Sequence, residues 1–204
     1  MKVTLEQLLR SRDERVALQQ SFLREHPEGT LLCLTVQLPG EVKRDKRSLA
    51  VAEAAVKAVR EVFPVRSAEL LRDLETGFEG YFVVGCSPQE AKSAACRIED
   101  THPLGRLMDI DVIISCGAGV ASELAPGVAS GVAPGDGAGV SSGLAPGAGG
   151  HVRPLSRESV GLPPRKCLLC GRPARQCMRA RTHSIAELLS EIDRLLSSAE
   201  CNAL

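Results

Sequence analysis

The chain has 204 residues and a mass of 21.6 kDa, is 44% hydrophobic and 25% charged, and its 25 basic and 25 acidic side chains cancel to a net charge of zero. That is apolar material enough for one ordinary domain, and no overall charge imbalance points to nucleic acid or a membrane surface. Aromatic residues make up 2%, with one Tyr and no Trp, which argues against a base-stacking platform. Met1–Glu6 does not open a basic-then-apolar secretory signal, and no run of about 20 bulky apolar residues is present. A cytoplasmic protein without a membrane span is expected, and its eight cysteines should be free thiols, catalytic groups or metal ligands.

Taken in chain order, Thr4-Leu5-Glu6-Gln7 and Ser11-Arg12-Asp13-Glu14 both have the capping-box pattern and predict a short helix over 4–10 followed by a second over 12–25. Residues 30–38 (TLLCLTVQL) read as a buried strand closed by Pro39-Gly40, and a helix follows over 46–61. Residues 65–74 and 79–86 predict two strands joined as a hairpin around Glu75-Thr76-Gly77-Phe78. Ser87-Pro88-Gln89-Glu90 supplies a cap, a first-position Pro and a third-position Glu for a helix reaching about Asp100. A strand is expected over 107–115, and Ser184 with Glu187 opens a last helix carrying Ile185, Leu188, Leu189, Ile192, Leu195 and Leu196 on one face. Helices and strands interleave without a strict βαβ repeat, so the fold class is α/β or α+β with a mixed sheet and flanking helices.

Composition changes abruptly over 116–150, where Gly, Ala, Ser and Pro occupy 26 of 35 positions. So few large apolar groups do not offset the entropy of ordering a chain, and this tract is expected to be a disordered linker. The domain reading is therefore an α/β core over 1–115, the low-complexity linker over 116–150, and a basic Cys/His segment with a terminal amphipathic helix over 151–204 that completes the same domain.

The most informative segment is Thr101-His102-Pro103-Leu104-Gly105-Arg106-Leu107-Met108-Asp109-Ile110-Asp111-Val112. On a strand, side chains alternate faces, so Asp109 and Asp111 share one side while Met108, Ile110, Val112 and Ile114 face the core. Adjacent carboxylates repel unless a cation sits between them, and Mg²⁺, which takes carboxylate oxygens and leaves positions for substrate phosphates, suits the pair. Gly105 would let the backbone approach a phosphate and Arg106 would add charge. His102 is a phosphate-binding or acid–base candidate, with a helix-ending role as its alternative. The alternative for the two Asp is a hydrated pair on an edge strand.

Cys167, Cys170, Cys177 and His183 form a C-x2-C-x6-C-x5-H pattern, a donor set for a tetrahedral Zn²⁺. Reduced thiols beside a surface His are the other reading. From His151 to Arg181 the chain carries a net charge of +7, with Arg165 and Lys166 among eight Arg and Lys against one Glu, which suits a polyphosphate or an acidic protein partner.

In order and spacing, Ser11-Arg12-Asp13-Glu14-Arg15, the His102–Val112 segment and Pro163-Pro164-Arg165-Lys166-Cys167-Leu168-Leu169-Cys170 through Cys177 to Thr182-His183 resemble the apo-citrate lyase phosphoribosyl-dephospho-CoA transferases, also called citrate lyase holo-acyl-carrier-protein synthases. The resemblance spans nearly the whole chain, with the Gly/Ala/Pro tract as its departure. It implies a nucleotidyl transfer: the prosthetic group of 2′-(5″-triphosphoribosyl)-3′-dephospho-CoA passes to a serine of the apo acyl carrier (gamma) subunit of citrate lyase, and diphosphate is released. It implies a core similar to polymerase-β-like nucleotidyltransferases, with Asp109 and Asp111 as catalytic ligands of Mg²⁺. A third carboxylate would come from Glu69, Asp73 or Glu79. His102, Gly105, Arg106, Arg165 and Lys166 would bind substrate, and the Cys/His cluster would hold a structural Zn²⁺. Neither nucleic acid nor a membrane is an expected partner. A zinc-knuckle module that binds RNA or protein without turnover is the competing reading.

Overall fold

A computed structural model of the chain describes residues 2–116 and 151–201, so the expected linker lies, apart from Cys116, outside the described residues. The first helix, α1 (Leu5–Glu25), is continuous. Thr4 and Gln7 close its capping box, with Thr4 Oγ1 accepting from Gln7 N at 3.2 Å and Gln7 Oε1 from Thr4 N at 2.8 Å. The break expected near residue 11 does not occur. Ser11 is buried and its hydroxyl donates to Glu79 Oε1 at 3.2 Å, a tertiary use of a capping residue that leaves the helical backbone intact.

Strand β1 (Thr30–Val36) follows, then α2 (Lys46–Val62), capped by Asp45 in a box with Ser48. Strands β2 (Val65–Leu71) and β3 (Glu79–Val84) form the predicted hairpin. The Ser87 box starts α3 (Pro88–Thr101), and a single 3₁₀ turn, Gly105–Leu107, leads into β4 (Met108–Cys116). Beyond residue 150 come β5 (His151–Pro154), a 3₁₀ turn Glu158–Val160, the short α4 (Ala174–Ala180) and α5 (Ile185–Cys201). Neither β5 nor α4 was expected: four residues and seven residues are too short for a periodic signal to develop.

The sheet order is β2-β3-β1-β4-β5 and every pairing is antiparallel. An α/β chain is confirmed, but the mixed pairing expected of the sheet is replaced by a wholly antiparallel one. The physical reason lies in the connections. Helix α2 joins β1 to β2 with β3 inserted between them, and α3 joins β3 to β4 with β1 inserted between them, so strands that run the same way are never neighbours. This is the split β-α-β, ferredoxin-like arrangement, extended by α1, β5 and α5.

The two sheet faces are covered differently. Leu32, Leu34, Phe82, Met108, Ile110 and Val112 pack with Val51, Ala55, Val59, Ala91, Ala95 and Ile98 of α2 and α3 and with Ile192 of α5. On the other face a smaller cluster joins Phe22 of α1 to Leu31, Cys33, Tyr81, Val83 and Ile113, with the Phe22 and Tyr81 rings stacked at 5.4 Å. Burying one face under three helices and only part of the other under one leaves room for polar groups beside α1. Among the described residues no helix is long and apolar enough to cross a membrane.

Candidate active site and metal centre

Alternation on β4 does most of what the sequence predicted: Met108, Ile110 and Val112 are buried in the larger core and Asp109 and Asp111 are on the face shared with α1, while Ile114, expected with the core residues, is only half-buried near the end of the strand. Across the sheet Asp109 stands in register with Thr35 and then Glu79, and Asp111 with Cys33 and then Tyr81. Burial lifts Tyr81, whose hydroxyl donates to Glu79 Oε2 at 2.6 Å, above its ordinary value. Burial likewise pushes the Cys33 thiol up to about 12.

Each aspartate has partners the sequence did not announce. Gln37 donates to Asp109 Oδ2 at 2.7 Å, and Arg165 donates to Asp109 Oδ1 at 3.1 Å and to the Met108 carbonyl at 2.7 Å. Lys92, whose side chain is 5% exposed, brings its ammonium to 3.8 Å from Asp111. Burial, and then the neighbouring Asp109 charge, push the Asp111 carboxyl up to about 6 against the opposing pull of Lys92 and Arg165.

A buried charge cluster backs the pair. Because β5 pairs with β4 only from Ile113 onward, no strand pairs with the earlier edge of β4 among the described residues, and Glu99 of α3 fills it by accepting from Ile110 N at 2.9 Å. Glu99 in turn accepts from Arg157 at 2.9 Å, and Arg157 also bonds Asp100. Four carboxylates, Glu99, Asp100, Asp109 and Asp111, thus meet Lys92, Arg157 and Arg165, with the Arg106 charge close to Asp100. Lys92 and Glu99 had a readable signal. They fall at i and i+7 with Cys96 between them, on the apolar stripe of α3, where a charged residue needs a partner.

The other site candidates are placed as follows. His102 ends α3, its Nδ1 accepts from Leu104 N at 3.0 Å, and burial lowers its pKa; its charged neighbours are Glu61 and Lys57 of α2. Gly105 is buried, and a Cβ there would lie 2.4 Å from the Ile98 carbonyl oxygen and 2.7 Å from that of Glu99. Close approach to the end of α3 is what requires glycine at this point. Arg106 bonds the Lys166 carbonyl, and the Lys166 side chain is exposed. Of the third-carboxylate candidates, Glu79 shares the face of Asp109 but is held by Arg15 at 2.5 Å, Ser11 and Tyr81. Glu69 is exposed, and Asp73 is exposed and paired with Arg44 at 2.6 Å.

The second constellation converges fully. The ligand atoms of Cys167, Cys170, Cys177 and His183 all lie within 4.8 Å of one another, the one such group of three or more among the described residues. Cys170 Sγ and Cys177 Sγ are 3.5 Å apart, close to the spacing of about 3.8 Å that tetrahedral Zn–S bonds of about 2.3 Å impose. The buried His183 Nε2 has no hydrogen-bond partner among the described residues. The donor set can hold a metal. The Arg172 backbone N–H chiefly pushes the Cys170 thiol down to about 6. Beside the cluster a cleft of about 730 Å³ is lined by Leu168, Met178, Arg181, Ile185 and Leu188.

A family model described as "Apo-citrate lyase phosphoribosyl-dephospho-CoA transferase" matches residues 3–122 and 148–199, which takes in both the aspartate strand and the Cys/His cluster. The chain belongs to the apo-citrate lyase phosphoribosyl-dephospho-CoA transferase family. A relative from Streptococcus pyogenes serotype M18 is 30% identical over 198 residues, covering 96% of this chain and 86% of its own. One from Vibrio cholerae serotype O1 is 32% identical over 209 residues, covering 100% and 97%. Both carry the name probable apo-citrate lyase phosphoribosyl-dephospho-CoA transferase.

Proposed function

We propose that this protein is a cytoplasmic enzyme that transfers the phosphoribosyl-dephospho-CoA group of 2′-(5″-triphosphoribosyl)-3′-dephospho-CoA to a serine of the apo acyl carrier subunit of citrate lyase. In this reaction the serine oxygen bonds to the α-phosphorus, the serine proton is lost, and diphosphate leaves. The observation that carries the reading is the pair Asp109 and Asp111 on one face of β4 in a chain of this family, close enough that the Asp109 charge adds to burial in raising the Asp111 carboxyl.

The donors fit Mg²⁺: two carboxylates retain lone pairs beyond those given to Gln37 and Arg165, and their site favours added positive charge. Bound there by Asp109 and Asp111, the ion would neutralise charge on the reacting phosphate. Around it the chain's own groups do the positioning. Arg165 and Gln37 fix the Asp109 carboxylate from opposite oxygens, and the turn His102–Leu107 delivers Arg106 to the start of the aspartate strand. Lys166, Arg172, Arg175, Arg179 and Arg181, all exposed, offer phosphate contacts or a face for an acidic carrier protein. In the same reading the Cys/His cluster takes Zn²⁺ as a structural ion.

The test is the intact mass of the apo carrier subunit after incubation with the protein, the triphosphoribosyl substrate and Mg²⁺. A mass gain equal to the prosthetic group, absent without Mg²⁺ and reduced at least about 100-fold in rate by Asp109→Asn, is expected. Full transfer by the Asp109→Asn variant would remove the site assignment, and no transfer by the native chain would remove the reading.

A further inference from the structure

The Cys/His cluster and the aspartate strand are joined through one side chain. Arg165 stands two residues before the first ligand, and the knuckle's own hydrogen bonds fix its backbone. Ala174 N donates to the Arg165 carbonyl at 2.8 Å, Cys167 N donates to the Arg172 carbonyl at 2.7 Å, and Lys166 bridges to Pro173. From this base the guanidinium crosses to β4, where it donates to the Met108 carbonyl and to Asp109, with Nε 3.9 Å from Glu99. Arg106, arriving from the turn before β4, bonds back to the Lys166 carbonyl. Knuckle and strand therefore hold each other through two arginines.

Apolar packing accounts for little of the order of this knuckle: Leu168, half-buried, is its one side chain packed against the larger core among the described residues. Across residues 161–185 the buried side chains are Cys167 and Cys177, both of them candidate ligands. Met178 is 71% exposed and Ile185 54%. A seven-residue helix is too short to be stable unaided, and Arg181 adopts φ +46° at its end, a conformation that costs a non-glycine residue energy. A loop-rich segment of this kind gains its folding energy from a metal when one is bound. Three thiols and an unpartnered imidazole nitrogen in tetrahedral reach suit Zn²⁺ above the harder cations.

We propose that Zn²⁺ bound by Cys167, Cys170, Cys177 and His183 is the clamp that seats Arg165 on Asp109 and Met108, so that Arg165 is a positioning residue for the aspartate strand. The consequence for turnover rests on the reading of Asp109 given above. The metal and its structural effect do not.

The full chain, purified without chelator, is assayed for zinc and iron by mass spectrometry and for amide exchange. About one zinc per chain is expected, retained by His183→Cys, which keeps a fourth soft ligand, and lost from His183→Ala and Cys177→Ser. Loss of zinc raises exchange in 163–185 and, through Arg165, in 105–112, while 30–36 and 79–84 keep their protection. In prosthetic-group transfer, Arg165→Ala and Cys177→Ser each lower kcat/KM on the order of 10- to 100-fold, and the double variant loses no more than the worse single one. Iron in place of zinc, a metal-free native chain, or unchanged exchange in 105–112 on zinc loss would overturn the proposal. So would single losses that multiply in the double variant. A chain that holds zinc and shows the linked exchange but transfers nothing leaves the clamp standing and removes only the transfer reading.

Discussion

Arg157→Met attacks the charge cluster behind β4 at its most enclosed point. The Arg157 and Glu99 side chains are 9% and 3% exposed and meet at 2.9 Å, and Arg157 also bonds Asp100 and the Pro163 carbonyl. Breaking a buried pair from one side costs about 3–5 kcal/mol, because the remaining charge stays desolvated. Glu99 keeps the Ile110 N–H at 2.9 Å and Arg165 at 3.9 Å, which places the loss at the lower end, about 3 kcal/mol; the Asp100 arm, at 50% exposure, adds at most about 1 kcal/mol. Urea unfolding at pH 7 measures it. In a Glu99→Gln background the same substitution should cost less than half as much, since the amide oxygen still accepts from Ile110 and no charge is stranded. The pH dependence has a definite sign. Burial raises the Glu99 pKa above its ordinary 4.5, and a raised carboxyl stabilises the fold fully below the unfolded value and loses that contribution as pH rises through the folded one. With Arg157 gone the pKa rises further, so the Arg157→Met penalty shrinks as the solution is acidified from pH 7 toward pH 4.5. A loss below about 1 kcal/mol at pH 7, or a loss undiminished in the Glu99→Gln background, would refute this account.

Gly105→Ala should destabilise the native chain by about 2 kcal/mol or more in urea unfolding, because its Cβ meets the Ile98 and Glu99 carbonyl oxygens, which are backbone atoms and cannot swing aside; a change below about 0.5 kcal/mol would contradict the packing described. Cys33, buried with its thiol pushed up to about 12, should resist alkylation at pH 8 in the folded protein and react once urea unfolds it, as peptide mapping would show; the exposed Cys201 is the internal control, and equal labelling of the two would count against the burial of Cys33.

Much of the site could be read along the chain because it depends on local periodicity. Asp109 and Asp111 share a face for the same reason that Met108, Ile110 and Val112 share the other, and the Ser87 and Asp45 capping signals act within four residues. What could not be read depends on which segments meet across the fold. Ser11 has the same local pattern as Thr4, yet it lies inside α1 because Glu79, 68 residues later, takes its hydroxyl. Gln37 and Lys92 come to Asp109 and Asp111 from a strand end and a helix, and Arg157 comes to Glu99 and Asp100 behind them from a turn, and no spacing rule links them. The antiparallel order was likewise hidden, because hydrophobic pattern marks strands but not which strand is inserted between two others.

The edge of β4 that Glu99 fills has a further consequence, for how copies of this chain behave toward one another. An uncovered strand edge offers its N–H and C=O groups as a template on which another molecule can add a strand. Here the outward Ile110 N–H is occupied by Glu99 and the outward Met108 carbonyl by Arg165, so the residues that shape the aspartate site also block intermolecular strand addition beside it. The strand bearing the proposed chemistry can thus lie at a gap in the sheet without offering that gap to another molecule's strand, and variants that lose Glu99 or Arg165 should self-associate as well as lose function.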